Sequence, residues 1–388
     1  MDKLSQDGEL PVRLCNYTDV YYGDRLVPHS RLMRATATVD EVSRFRLDVG
    51  DSVITKDSEG PGDIGQSAYV SETAPDFVCA YHLAIVRPLS IEPRFLTWVL
   101  RSGPVRSHWS NQASGMTRYG LSLNGIRTAP TPLIGRDEQR RIADFLDDRV
   151  ARIDQIIAAR RQQLTLLAQA HSSANEQVAR HSGPPVPLGR ICSVVDARSE
   201  SGAGELLSVS IHQGVLPRSE MTERMSRAED LVGYKVVEPG DVVLNRMRAF
   251  QGAVGTSSFR GLVSPDYLVL RARSDISGAW LGILLRAPWL VGEMSRLLRG
   301  IGNSELGTVR TPRINWSDLA TIVLNVPSIE EQEAMVRSFA AATELVRQLE
   351  TRLAQAIDLL TEYKSSLITA AVTGELDVTT ASRRILGD

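Results

Sequence analysis

From Ser328 onward the apolar positions recur in steps of four and three, at Met335, Phe339, Ala342, Val346, Leu349, Leu353, Ala356, Leu360, Tyr363 and Leu367. A seam sustained over that many turns predicts one long helix that pairs with another long helix. Ser328, followed by Glu330, Glu331 and Glu333, supplies a capping hydroxyl and negative charge at its start. A looser stripe of Ile142, Leu146, Val150, Ile153, Ile157, Leu164 and Leu167 predicts a counterpart beginning near Asp137, which Gly183-Pro184-Pro185-Val186-Pro187 ends. Each helix should run roughly 40 residues, about 60 Å at 1.5 Å per residue. Similar length and equivalent placement favour an antiparallel two-helix spacer between two domains over ordinary packing helices inside one fold.

The stretches before the two helices, 1–136 and 184–327, hold short apolar alternations broken by Gly, Pro, Asn and Asp. Each predicts an α+β domain with a small irregular sheet. They also repeat one another. Val49-Gly50-Asp51-Ser52-Val53-Ile54-Thr55-Lys56 resembles Pro239-Gly240-Asp241-Val242-Val243-Leu244-Asn245-Arg246, 190 positions on. Ala80 to Arg87 matches Ser264 to Arg271 at an offset of 184, and Asp137-Glu138-Gln139 matches Glu330-Glu331-Gln332 at 193. A period near 190 is too long for a solenoid unit and indicates a duplicated module of one globular domain plus one long helix. The expected division is 1–136, 137–183, 184–327 and 328–378.

Composition narrows the class. With 388 residues, 43% apolar and 23% charged, the chain can bury two ordinary cores and is not a disordered polymer. No run of about 18 uncharged apolar residues could span a bilayer, and the opening MDKLSQDGEL has neither part of a secretion signal, so a cytoplasmic protein with no membrane partner is expected. Cys15, Cys79 and Cys192 lie far apart and read as small core residues, not as a zinc or disulfide framework.

The formal net charge of −2 hides an uneven distribution. Residues 1–76 carry 8 basic and 14 acidic side chains, whereas 77–135 carry 6 Arg and one acid. Likewise 184–241 carries 6 basic and 9 acidic, and 242–316 carries 10 Arg and 4 acids. Both modules are polarised the same way, the footprint expected of two equivalent anion-binding faces. Only four of the 44 basic residues are Lys. Arg offers phosphate or guanine a two-point fork where Lys offers a point charge, although a GC-rich genome also favours Arg codons.

Catalytic motifs are missing. No Lys follows a Gly, so there is no phosphate loop of the Gly-Lys-Ser/Thr kind. Ser264-Pro265-Asp266-Tyr267 lacks the amide and second proline of an adenine methyltransferase site and reads as the start of a strand. The one nuclease-like triplet, Glu362-Tyr363-Lys364, lies in the heptad helix as a surface charge pair. The six histidines fall into no ligand or triad spacing. The chain is expected to catalyse nothing alone.

One arrangement joins these pieces. A β-rich domain, then Pro132-Leu133-Ile134-Gly135-Arg136-Asp137-Glu138-Gln139 with Ile142, Ala143 and Leu146, then a long helix, repeats through Val326-Pro327-Ser328-Ile329-Glu330-Glu331-Gln332. Over nearly the whole chain this resembles the specificity (S) subunit of Type I restriction–modification systems, and Ala370 to Val378 resembles that family's ending. The first module opens almost directly at Pro11-Val12-Arg13-Leu14-Cys15, a shorter lead-in than Pro187 to Cys192 gives the second. A shortened or misplaced N-terminus is one expectation.

The resemblance implies two target-recognition domains on double-stranded DNA, each reading half of a split, asymmetric site, with two helices as a ruler. Two methyltransferase subunits would dock on the helices through Ile142, Leu146, Ile153, Met335, Phe339, Val346, Leu353 and Leu360, and restriction/translocase subunits would join them. S-adenosylmethionine, ATP and magnesium would belong to those partners, none to this chain. Charge and turn chemistry suggest Lys56, Asn111, Gln112, Thr117 and Arg118 as DNA contacts in the first domain. In the second they suggest Asn245, Arg246, Arg248, Gln251, Arg299 and Asn303. The rival reading is a non-catalytic coiled-coil adaptor with two protein-binding domains.

Overall fold

The computed structural model describes residues 6–179, 182–211, 213–221, 230–297 and 313–383, apart from the side chains of 174–179 and 381–383. Two long helices occur where the heptad stripes lie, Arg136–Ala179 and Ile329–Thr373. Ser328 and Glu331 form the capping box that starts the second. The Ser328 hydroxyl accepts from the Glu331 amide at 3.3 Å, and the Glu331 carboxylate accepts from the Ser328 amide at 2.9 Å. The chain divides into two compact units, residues 1–161 with 354–388 and residues 162–353, so each long helix contributes one part to each.

In unit 1 the central strand Ser52–Thr55 lies between Leu83–Val86 and Ser67–Val70, antiparallel to both. A second sheet places Leu10–Cys15 between Met33–Ala37 and Phe77–Cys79. Helices Pro93–Arg101 and Gly103–Gln112 follow. Phe95, Val99 and Trp109 pack in one core with Ile142, Leu146 and Ile153 of the first long helix and Ile368, Ala371 and Val372 of the second. Lys364 Nζ ion-pairs Asp154 at 2.7 Å across the two helices.

In unit 2 the central strand Val242–Asn245 lies between Tyr267–Ala272 and Val254–Thr256. Helices Gly278–Leu284 and Pro288–Arg296 bury Trp280, Leu281, Leu290 and Met294, with Met335 and Val336 of the second long helix against that core. His171 reaches Thr343 Oγ1 at 3.1 Å and stacks on Phe339 with centroids 5.6 Å apart. Unit 1 joins the start of the first long helix to the end of the second, and unit 2 joins the remaining parts, so the helices run antiparallel.

The repeat in the sequence is a repeat of register. Ser52 faces Val86 and Thr55 faces Leu83; at the same offsets, 190 and 184, Val242 faces Leu270 and Asn245 faces Tyr267. The turn before each central strand is also the same object. Gly50 (φ +97°) and Gly240 (φ +92°) adopt the left-handed conformation a side chain would strain. The next residues, Asp51 and Asp241, are buried and hold Arg87 and Arg271 through paired bonds of 2.7–2.9 Å.

A second repeated device fixes each long helix to its module. Gln139 and Gln332 are 8% and 0% exposed. The Gln139 amide oxygen accepts from the Glu92 backbone at 2.7 Å and its nitrogen donates to the Ile134 carbonyl at 2.9 Å. Gln332 does the same with the Ser277 backbone, at 2.8 Å, and the Pro327 carbonyl, at 2.9 Å. Glu92 and Ser277 are the N-caps of the helices Pro93–Arg101 and Gly278–Leu284. One buried amide thus ties three chain segments together in each module.

Ile142, Leu146 and Ile153 are 4%, 0% and 7% exposed, and their side chains are spent inside unit 1. Met335, Phe339, Val346, Leu353 and Leu360 are half-buried. The apolar side chains that the long helices expose are others: Ile156, Leu359 and Tyr363 in unit 1, Leu166 and Leu345 in unit 2.

Candidate nucleic-acid interface

The two loops singled out in the first domain come together. A short ladder pairs Asp57 with Gly120 and Ser58 with Tyr119, which sets Lys56-Asp57-Ser58 beside Thr117 and Arg118. Asp57 organises the junction: one carboxylate oxygen lies 2.6 Å from His82 Nδ1, and the other accepts from Arg118 at 3.3 Å. Lys56 is half-buried, its backbone bonded to His82 and Leu121. Asn111 and Gln112 are exposed at the end of Gly103–Gln112, and the loop that follows carries Met116 at its tip, 97% exposed.

Beside this junction, outside the loops expected to contact DNA, sits an aromatic cluster. The short helix Tyr17–Tyr21 places Tyr17 and Tyr21 in a stack with centroids 5.4 Å apart, and Tyr22, 82% exposed, meets Tyr21 edge-on at 4.8 Å. With Thr117 and Arg118 the three tyrosines line a groove of about 400 Å³, with Glu59 and Asp63 on its wall. Tyr21 donates to Asp63 at 2.8 Å, which raises its pKa. Burial, and then Asp63, pushes the Tyr17 phenol up to about 12, so at neutral pH these hydroxyls remain protonated donors. The groove therefore offers ring faces for stacking, a guanidinium for phosphate or guanine, and carboxylates for base amino groups. Three of the nine tyrosines fall within six residues, a cluster that the sequence does display.

In the second domain the equivalent loop divides its side chains between fold and solvent. Asn245 is buried: its oxygen accepts from the Met247 amide at 3.1 Å and its nitrogen donates to the Tyr267 hydroxyl at 3.3 Å. Arg246 donates through Nε to the Ile314 carbonyl at 2.8 Å and through Nη2 to Asn315 Oδ1 at 2.6 Å. Both act inside the unit. Arg248 precedes the single turn Ala249–Gln251, Gln251 ends it, and both are exposed. Arg299 and Asn303 lie outside the described residues.

Ion pairing changes the picture drawn from charge counts. Of the six Arg in 77–135, Arg87 pairs with Asp51, Arg94 with Asp144 and Asp147, Arg101 with Asp24, and Arg118 with Asp57. In 242–316, Arg260, Arg271, Arg273, Arg296 and Arg313 have carboxylate partners. Among the described residues, Asp24, Asp51, Asp57, Glu238 and Asp241 of the acidic stretches thus pair with Arg of the basic runs that follow them. A sequence-level dipole is not a surface dipole here.

Among the described residues no group of His, Cys, Asp and Glu is placed to hold a metal ion. The three cysteines are free and buried, and burial pushes the Cys79 and Cys192 thiols up to about 12, which keeps them unreactive. Among the described residues no helix is long and apolar enough to cross a membrane.

No protein-family model matches the chain, and no curated protein matches it. Solved structures do. The crystal structure of the HsdS subunit from Thermoanaerobacter tengcongensis is 18% identical over 95% of this chain and 92% of its own, with a TM-score of 0.58. A chain from a structure that addresses complex assembly and conformational transition of the type I R-M system is also 18% identical, over 85% of this chain and 83% of its own, with a TM-score of 0.66. At these identities the likeness establishes a shared fold, two modules with long helices that pack together.

Proposed function

We propose that this chain is the specificity subunit of a Type I restriction–modification complex, reading a bipartite DNA site with its two modules and catalysing nothing alone. The observation that carries this reading is the duplication itself. Strand register, the Gly-Asp turn with its Arg, and the glutamine clamp all recur, while the exposed side chains differ: Tyr22 and Asn111 in one module, Arg248 and Gln251 in the other. A duplicated frame with diverged surfaces suits two different half-sequences. The HsdS-like fold supports the same reading.

In this proposal the first domain contacts DNA through the tyrosine groove, Lys56, Thr117 and Arg118, with Asn111 and Gln112 at its rim. The second uses Arg248 and Gln251, while Asn245 and Arg246 hold the turn that presents them. Methyltransferase subunits dock on the outward faces of the long helices, restriction/translocase subunits join that assembly, and S-adenosylmethionine, ATP and magnesium stay with those partners. A complex with these duties works on cytoplasmic DNA.

Two substitutions test the DNA assignment in the assembled complex. Tyr22→Ala should weaken specific binding by about 1–3 kcal/mol and relax one position of the first half-site if the side chain reads a base edge in the groove. Arg248→Ala should reduce the slope of log affinity against log salt by about 0.9 if it holds one phosphate. Wild-type affinity, site preference and salt slope in both variants would remove these residues from the interface.

A further inference from the structure

At one end of each central strand the two modules place the same kind of side-chain pair. In unit 1 the Leu121 amide donates to the Lys56 carbonyl at 2.7 Å, and in unit 2 the Ile314 amide donates to the Arg246 carbonyl at 3.1 Å. Each bond brings a returning segment to the residue that follows the central strand, Ser52–Thr55 or Val242–Asn245. There each segment sets an exposed arginine against a carboxylate. Arg118 donates to Asp57 at 3.3 Å, and Asp57 is held in turn by His82 Nδ1 at 2.6 Å. Arg313 lies 3.2 Å from Asp266. The arginine side chains are 57% and 46% exposed. Arg118 lines the tyrosine groove, and Arg313 precedes Ile314 and Asn315, the two residues that hold Arg246.

The two pairs are not copies of one another. At the offset of 193 that relates Leu121 to Ile314, Arg118 corresponds to Thr311 and Arg313 to Gly120. At the offset of 190 that relates the central strands, Asp57 corresponds to Met247, and at 184, which relates their partner strands, Asp266 corresponds to His82. Neither the cation nor the acid is inherited from the common frame, yet both modules place an acid-held arginine at the same spot. An exposed ion pair contributes little to stability, so the fold does not demand it. A ligand that both modules meet accounts for the recurrence, and the carboxylate narrows which part of that ligand. It cancels the charge that draws a phosphate. It also fixes the plane of a guanidinium fork whose remaining N–H donors match guanine O6 and N7 in two-point fashion.

We propose that Arg118 and Arg313 each read the guanine of one G·C pair, one in each half-site, and that Asp57 and Asp266 are positioning residues that orient them. The guanine contact rests on the DNA-reading function proposed above and adds to it the base that is read and, in Arg313, a reading residue of the second module.

Methylome sequencing with the wild-type complex supplies the motif. Duplexes carrying that motif, with single G·C pairs changed to A·T, are then titrated against complexes assembled from full-length variants. The wild type should prefer the intact duplex by about tenfold or more at one G·C pair in each half-site. Arg118→Ala should reduce that preference to below about twofold at one pair in one half-site only, and Arg313→Ala should do so in the other. Arg313→Lys keeps the charge but not the fork, and should lose the preference as alanine does. Asp57→Asn and Asp266→Asn should lower it at the same pair as the arginine each faces, a change that a merely stabilising ion pair would not produce. The preference is a ratio of two affinities within one preparation, so a variant that assembles less completely still answers. Weaker binding to intact and altered duplexes alike, with the preference unchanged, makes the arginines phosphate contacts and overturns the proposal. A half-site without any G·C pair overturns it too. A methylome that does not depend on this chain is a separate result: it overturns the function proposed above, and the guanine assignment with it.

Discussion

Gln332 illustrates what a residue can and cannot announce. Its place before a helix stripe marked the repeat, but its work joins segments 55 positions apart, and no local pattern encodes such a bond. Gln332→Ala should orphan the Ser277 amide and the Pro327 carbonyl in the interior, at about 1–3 kcal/mol for each buried group left unpaired. Urea unfolding that is unshifted in midpoint would refute the clamp. Arg246 and Arg248 looked alike in sequence, two arginines in one turn. Only the contacts of Arg246 with Ile314 and Asn315 separate a residue that builds the turn from one that is presented by it. Arg13 acts on stability through charge: its Nε lies 2.8 Å from Asp76 and holds that carboxyl below its ordinary range. A depressed folded pKa gives stability that is complete above the unfolded value, near 3.9, and lost as pH falls through the folded one. Asp76→Asn should therefore show a shallower loss of melting temperature below about pH 4 than the wild type, and equal slopes would contradict the pairing.

At the level of elements, both long helices were legible because heptad spacing and capping act over short range, and Arg136–Ala179 and Ile329–Thr373 carry out that pattern. The pattern did not reveal what the stripes face. Ile142 and Leu146 meet Phe95 and Val99 of the globular part in a single core, so these stripes bind the chain to itself. The surface left for a partner includes Leu359 and Tyr363, which are 66% and 57% exposed. Leu359→Arg with Tyr363→Ser should lower methyltransferase binding without lowering the melting temperature of the chain, since neither side chain is buried. Binding unchanged by light scattering or calorimetry would move the docking surface elsewhere. Deleting one heptad within 335–367 should alter the spacing of the two methylated half-sites or prevent assembly, and methylation at the original spacing with full efficiency would contradict the ruler.

For the whole molecule, the duplication was the deepest feature the sequence exposed. Offsets of 190 and 184 proved to be a shared strand register with a shared Asp–Arg bond. Net charge was the least informative: the −2 total concealed basic runs, and among the described residues four of the six Arg in the first run and five of the ten in the second proved to be held in ion pairs. If the chain reads DNA as proposed, such pairing predicts a modest affinity for the isolated chain. Tyr17, Tyr21 and Tyr22 stand together in the sequence, but the groove they form with Thr117 and Arg118 was not legible, because it exists only when segments distant in sequence are brought side by side.

The central claim is that one chain reads two unlike half-sites. Methylome sequencing of cells that express this chain with its methyltransferase partner tests it most directly. The account predicts a bipartite, asymmetric adenine-methylated motif with a fixed gap, which disappears when this chain is deleted. An unchanged methylome with and without the chain, or a single uninterrupted motif, would contradict it.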